Sequence, residues 1–276
     1  MNNFLNSTEV IETNINGGVK KANRKLLPMF LLSIMAGIFI GIGGAASNVA
    51  VHNISNVGLA RTLAGTVFPV GLMMIVFVGG ELFTGNCLLS MSALDKKISW
   101  KSVVRNLCVV YLGNLFGALF FDTLIYFSGQ LNYTQGLLGA YTINVALCKV
   151  NIDFGTAFIS GILCNILVCV AILMATSAKD IAGKAIAIFF PIWAFVISGF
   201  EHCVANMFYI PMGLLAKLNP TYLAKAQEVY NISDEAISHL SVSGMIHNLV
   251  PVTLGNIIGG GVVVGFMYFF ITKLDS

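Results

Sequence analysis

Two polar clusters, each set in the middle of an apolar stretch long enough to cross a bilayer, constrain this chain more than any other feature. They read Gly79-Gly80-Glu81-Leu82-Phe83-Thr84-Gly85-Asn86 and Gly199-Phe200-Glu201-His202-Cys203-Val204-Ala205-Asn206, each with a glutamate, an asparagine five residues later and glycine ahead of the acid. Hydrocarbon offers no partner to a charged side chain or an unpaired peptide group. Such residues persist at membrane depth only where protein covers them or they line a cavity. Two matched interruptions in one chain predict discontinuous helices around a transport pathway.

Composition agrees. Only 10% of the 276 residues are charged and 57% are hydrophobic, with a mean hydropathy of +0.86; a soluble domain carries about 25% charged residues. The net charge of +3 gives no ground for a nucleic-acid partner. Six cysteines (Cys87, Cys108, Cys148, Cys164, Cys169, Cys203) show neither a CxxC nor a disulfide-scaffold spacing, so they read as small hydrophobes. No metal site and no cofactor motif is expected.

Residues 1–25 form a polar segment ending in Lys20, Lys21, Arg24 and Lys25. The apolar run behind it is too long for the core of a signal peptide and is expected to stay in the mature protein. A first span is predicted at 28–51. The apolar stretch at 62–94 has 33 residues; as one straight helix it would run roughly 50 Å against a hydrocarbon core of about 30 Å, so it must break, and the first cluster supplies the break. A third span follows at 106–128, then a polar connector holding Lys149, then a fourth span at 155–176. The stretch at 185–216 is overlong again and broken by the second cluster. A polar connection at 217–243, with a short surface helix over 222–230, leads to a last span at 247–272 and a tail at 273–276.

Six crossings put both ends on one side. That side would carry Lys20, Lys21, Arg24, Lys25, Lys96, Lys97, Lys101, Arg105, Lys179, Lys184 and Lys273, against Arg61, Lys149, Lys217 and Lys225 on the other. The bias predicts a multi-pass protein of the cell membrane with both termini cytoplasmic.

The halves echo each other. Leu112-Gly113-Asn114 in the third span recurs as Leu254-Gly255-Asn256 in the sixth, and Ala36-Gly37-Ile38 in the first as Ser160-Gly161-Ile162 in the fourth. Three spans per half is an odd number, so the halves insert in opposite senses. The fold class is therefore an all-α membrane protein of two inverted three-helix repeats, about 28–128 and 155–272, with the second and fifth helices broken. Gly113, Gly117, Gly255, Gly259, Gly260, Gly261 and Gly265 read as close-packing positions.

A helix broken at mid-membrane points a half-helix dipole and unpaired N–H groups into the cavity, where a small anion is favoured. His202 can titrate near neutrality. It is either a neutral histidine satisfied within the packing or the group that meets the anion, and its place on the symmetric break favours the second. Glu81 and Glu201 would repel an anion, so they are expected to be structural, accepting hydrogen bonds from the freed N–H groups, with Asn86 and Asn206 beside them at the breaks. Lys149 either concentrates anions at the mouth or snorkels to the interface. Thr84 and Asn165 offer polar contacts to a dehydrating ion, while Phe68, Leu72, Leu82, Phe83 and Phe195 are candidates for dry constrictions.

The runs at 80–86, 199–208 and 248–261 resemble the formate/nitrite transporter family, over the whole membrane part and in the same order. The resemblance implies an aquaporin-like six-helix protomer in a homopentamer within the lipid bilayer, each protomer with its own pore. It implies a central histidine at His202, a channel threonine at Thr84, a pore asparagine at Asn165 and a chamber lysine at Lys149. One constriction would comprise Leu82, Phe83 and Val168, the other Phe68, Leu72 and Phe195, with Glu201 as the acid beside the histidine. Gly85-Asn86 stand where the formate branch has Ser-Thr, which tilts the expectation toward hydrosulfide or nitrite. The function expected is a pore for small monovalent anions of weak acids, with proton donation by His202. An aquaporin-like channel for neutral solutes is the alternative, although neither break carries Asn-Pro-Ala. An intramembrane enzyme using His202 and Cys203 lacks an orienting third residue.

Overall fold

The computed structural model describes residues 4–274; residues 1–3 of the N-terminal segment and 275–276 of the tail lie outside the described residues. The chain opens with a helix that the sequence reading did not anticipate, α1 (Ser7–Ala22). A capping box starts it: the Asn6 side chain accepts from the Glu9 N–H while the Glu9 carboxylate accepts from the Asn6 N–H. Val10, Ile11 and Ile15 pack it against Leu88, Met91, Leu173 and Phe269, so the polar segment is docked on the membrane body.

Next come α2 (Leu26–Val51), α3 (Val57–Val67), α4 (Val70–Val78), the short α5 (Phe83–Asn86) and α6 (Leu89–Leu94), and α7 (Trp100–Phe127). The second half has α8 (Leu137–Val150), α9 (Phe154–Ser177), α10 (Ile181–Ser198), α11 (Cys203–Ala216), α12 (Pro220–Tyr230), α13 (Asp234–His239) and α14 (Val242–Ile257), which runs through a π-helical stretch (Ile258–Phe266) into α15 (Met267–Leu274). Among the described residues, six segments are long and apolar enough to cross a membrane: Leu26–Val51, Val57–Val78, Trp100–Phe127, Phe154–Ser177, Ile181–Ser198 and Val242–Leu274. Side chains of Asn56, Ser99, Asp153, Asp180 and Ser241 cap the N-termini of α3, α7, α9, α10 and α14, satisfying N–H groups that would otherwise be orphaned near the interface.

The spans lie near where hydropathy put them, but the second, third, fifth and sixth begin four to six residues earlier, at Val57, Trp100, Ile181 and Val242. The third begins at Trp100 rather than 106, because the Ser99 cap starts the helix among charged residues. More important, Lys149 belongs neither to a connector nor to the fourth span but to the last turn of α8. Its apolar core is too short to span a bilayer, so length alone filed it as a loop. Its Leu138, Ile143, Ala146 and Leu147 are buried, and it packs against α11 and α12.

The two halves are built alike. In the first, α2 packs along α7; in the second, α9 packs along α14. The contact is too close for side chains at its centre: a Cβ on Gly117 would collide with the Ile34 carbonyl oxygen, and one on Gly259 with that of Ile162. The π-helical stretch widens the last span at Gly259-Gly260-Gly261, and the Ser90 hydroxyl donates to the Gly261 carbonyl at 2.9 Å. Asp122 on α7 is fully buried, and neither oxygen has a hydrogen-bond partner among the described residues, which nothing in the structure explains.

Candidate functional site

Both breaks begin on a glycine in a left-handed or related conformation, Gly79 at φ +105° and Gly199 at φ +71°. A residue with a Cβ rarely adopts these angles, so the helix can end abruptly there. The N–H groups of Gly79 and Gly199 still close the preceding helices, and the chain then runs outside any helix until α5 and α11 begin.

The polar groups freed by each break are gathered by one asparagine of the opposing span. Asn114 on α7 accepts from the Phe83 N–H at 2.9 Å and donates to the carbonyls of Ser33 and Glu81 at 2.8 and 2.9 Å. Asn256 on α14 accepts from the Cys203 N–H at 2.9 Å and donates to the carbonyls of Gly161 and Glu201 at 2.8 and 3.0 Å. The two sets match bond for bond. They correct the role expected of the glutamates, whose carboxylates do not accept the freed backbone N–H groups.

The glutamates instead anchor a second mirrored set. Glu81 accepts from the Asn86 amide at 2.7 Å and pairs with Lys21 and Arg24 at 3.3 Å each; Asn86 also donates to Asn106. Glu201 accepts from the Asn206 amide at 2.6 Å and pairs with Lys149 at 2.8 Å; Asn206 also donates to Asn248. Lys21 and Lys149 each stand five residues before the first residue of a span, Leu26 and Phe154. Thus α1 is to the first half what α8 is to the second. Each buried carboxylate has a cation and an amide donor, which offsets the cost of holding it away from water.

At the next position the halves differ. Leu82 stands where the second half has His202. The His202 ring spans the divide between them, with Nε2 at 2.9 Å from the Thr84 hydroxyl oxygen. Its Nδ1 accepts from the Ala205 N–H at 3.0 Å and caps α11. An Nδ1 that accepts leaves the hydrogen of the neutral ring on Nε2, so Nε2–H donates to Thr84. The Thr84 carbonyl in turn accepts from the Asn165 amide at 3.1 Å, whose other bond goes to the Asn256 carbonyl at 2.6 Å. Both bonds are to backbone, so Asn165 holds Thr84 and α14 together and has no amide hydrogen free for a passing ion.

Cavities approach this pair from two sides. One of about 160 Å³ is lined by Phe68, Phe195, Lys149, Tyr209 and His202 and merges, through Ala64, Val145 and Lys149, with a wider mouth of about 620 Å³. The rings of Phe68 and Phe195 meet edge to face at 5.6 Å, and Phe195 stacks on His202 at 6.0 Å. The other cavity, about 460 Å³, opens between Lys21, Arg24 and Glu81 and ends at Leu72 and Leu82. The structure thus sets Leu72 beside Leu82 rather than around one cavity with Phe68 and Phe195. Phe83 is buried against Tyr111, ring centres 5.0 Å apart, and Val168 is buried in the same core.

Sequence reasoning missed Asn106, Asn114, Asn248 and Asn256, together with the pairing of Lys21 and Arg24 to Glu81. The repeated Leu-Gly-Asn at 112–114 and 254–256 was the available signal.

Six spans in two inverted halves, each half broken at mid-membrane and approached by its own cavity, define a polytopic membrane transport protein. The profile of the formate/nitrite transporter family matches residues 8–270, and the chain belongs to that family. It is 36% identical over 274 residues to the formate channel FocA of Haemophilus influenzae, covering 98% of this chain and 95% of that one. It is 38% identical over 259 residues to formate channel FocA of Escherichia coli, covering 92% and 90%. Among solved structures, a pentameric formate channel with formate bound superimposes with a TM-score of 0.79 at 37% identity, covering 90% of this chain and 98% of that one. An ion channel of the same family superimposes at 0.82 with 28% identity, covering 96% and 99%.

Proposed function

We propose that this protein passes small monovalent anions of weak acids, formate, nitrite and hydrosulfide among them, across the cell membrane at the His202–Thr84 pair. The observation that carries the reading is that pair, a hydrogen-bonded donor chain closed off by Phe68 and Phe195 on one side and Leu72 and Leu82 on the other. His202 donates to Thr84, which leaves the threonine hydroxyl hydrogen for a third group. An anion stripped of water between the apolar rings meets that polarised hydroxyl. Crossing the seal as a bare charge costs several kcal/mol even after relaxation, on the order of what a single buried ion costs in proteins, whereas the neutral acid avoids it.

Proton donation by His202 completes the reading. A neutral imidazole is too weak an acid, so the ring first takes a proton on Nδ1 and releases the Ala205 N–H. The Nε2 proton then moves to the Thr84 oxygen as the threonine hydroxyl proton moves to the anion, which forms the acid and leaves a neutral ring protonated on Nδ1; proton exchange with cavity water restores the resting Nε2–H form. The test is His202→Asn in proteoliposomes. Uptake is expected to slow and its pH dependence to flatten; an unchanged rate and pH profile would refute the relay. Glycerol swelling measured beside formate uptake separates this reading from a neutral-solute channel.

Formate stands first among the substrates, supported by the names of the relatives. Asn86 uses its amide on Glu81 and Asn106 and its carbonyl on Lys21, as Asn206 does in part on the other half, so the departure at 85–86 is structural and does not argue against formate. The pentameric relative supports a homopentamer, as do the exposed apolar side chains along α7 (Leu112, Phe116, Phe120, Leu124), which lipid and neighbouring protomers would cover. The charge bias supports cytoplasmic termini, with residues 1–25 and the tail on that side.

A further inference from the structure

Arg61, on α3, lines the same mouth as Lys149. The charges there do not add as the sequence implied. Lys149 lies 2.8 Å from the Glu201 carboxylate, and both line that mouth. An ion pair so close is nearly neutral at a distance, so Lys149 gives the mouth little net field. Arg61 is the remaining charged side chain among those lining it, and it leaves the mouth with one net positive charge.

The guanidinium is held in place from one edge. Nη1 donates to the Ile197 carbonyl at 3.1 Å, near the C-terminus of α10, where a cation also complements the helix dipole. It lies over Gly199, where a Cβ would stand 2.5 Å from Nη1, so the glycine that breaks the helix also makes room for the arginine. The other four donors have no protein partner among the described residues. An oriented guanidinium with an open edge matches a planar anion with two oxygens, which can accept two parallel hydrogen bonds. Hydrosulfide, with one acceptor atom, cannot.

We propose that Arg61 recruits the substrate at this mouth and selects carboxylate-like, two-oxygen anions over single-atom ones. The selectivity rests on the anion-transport reading above; the recruiting charge does not.

Two measurements separate them. Cys148 is exposed and lines the same mouth, so its native thiol reports the local potential without any transport. Relative to a free thiol, an anionic methanethiosulfonate reagent is expected to label it several-fold faster than a cationic one. That preference should fall in Arg61→Gln and at high salt, with Cys148→Ser supplying the background. In proteoliposomes, Arg61→Gln should raise the half-saturating concentration of formate about tenfold, more than it lowers the maximal rate. Arg61→Lys should restore half-saturation for hydrosulfide but only in part for formate, which a purely structural cap on Ile197 would not do.

If Arg61→Gln leaves both the labelling preference and formate half-saturation unchanged, the proposal is overturned. Equal rescue of both anions by lysine overturns the selectivity alone. If the wild-type protein carries no anion while the labelling preference still drops in Arg61→Gln, the transport reading fails and the recruiting charge stands.

Discussion

His202 Nε2 and the Thr84 hydroxyl oxygen, 2.9 Å apart and 118 residues distant in the chain, join the two inverted halves through a side-chain hydrogen bond at the breaks. The Ala205 N–H, donated to Nδ1, leaves Nε2 with its hydrogen to face Thr84. Thr84→Val keeps the shape and removes the hydroxyl, so formate uptake should fall at least about tenfold, the cost of about 1.4 kcal/mol or more for one lost hydrogen bond at the barrier. Thr84→Ser should stay within a few-fold of wild type. Stopped-flow uptake into proteoliposomes decides, and a fully active valine variant would remove Thr84 from the pathway.

Asn114 and Asn256 make matching sets of three hydrogen bonds to the two breaks. Replacing either by alanine orphans a buried N–H and weakens the bonding of two carbonyls, at about 3 kcal/mol in all. Both variants should lower the apparent unfolding temperature of the purified protein, and by similar amounts. A large drop for one with none for the other would show that the halves do not share the load.

Lys149 and Glu201 form a largely buried pair, with side chains 16% and 6% exposed. Lys149→Met alone leaves the carboxylate without its cation, which costs about 3–5 kcal/mol. The double variant Lys149→Met with Glu201→Gln should recover more than half of that loss. Thermal unfolding of the four proteins of the cycle measures the coupling, and strict additivity would mean that the pair does not act as a unit.

Two glycines should respond oppositely to alanine. Gly17, inside α1, has open space where a Cβ would go, so Gly17→Ala should stabilise that helix by up to about 1 kcal/mol. Gly199 has φ +71° and Arg61 at its back, so Gly199→Ala should cost about 1–2 kcal/mol and displace the guanidinium. Thermal unfolding tests both signs.

Much of the architecture was legible because the membrane makes it a local property. Hydrocarbon thickness converts the length of an apolar run into a crossing, and the absence of water makes Glu81 or His202 conspicuous inside one. The number of spans, the two breaks and the inverted repeat all follow from such local signals. α8 escaped because its apolar core is too short to register as a span, and α1 because its polar sequence shows only a narrow buried face. Partnerships were beyond local reading. Asn114 with Phe83, Lys21 with Glu81, Lys149 with Glu201 and Arg61 with Ile197 are contacts between residues 31 to 136 positions apart. By itself, then, the sequence determined that this chain crosses a membrane six times and breaks two helices within it. Only the tertiary structure decided which polar group answers which. A buried carboxylate or a freed N–H must be satisfied by something, but folding selects that partner from every donor and acceptor brought within about 3 Å, and sequence spacing alone does not contain that distance.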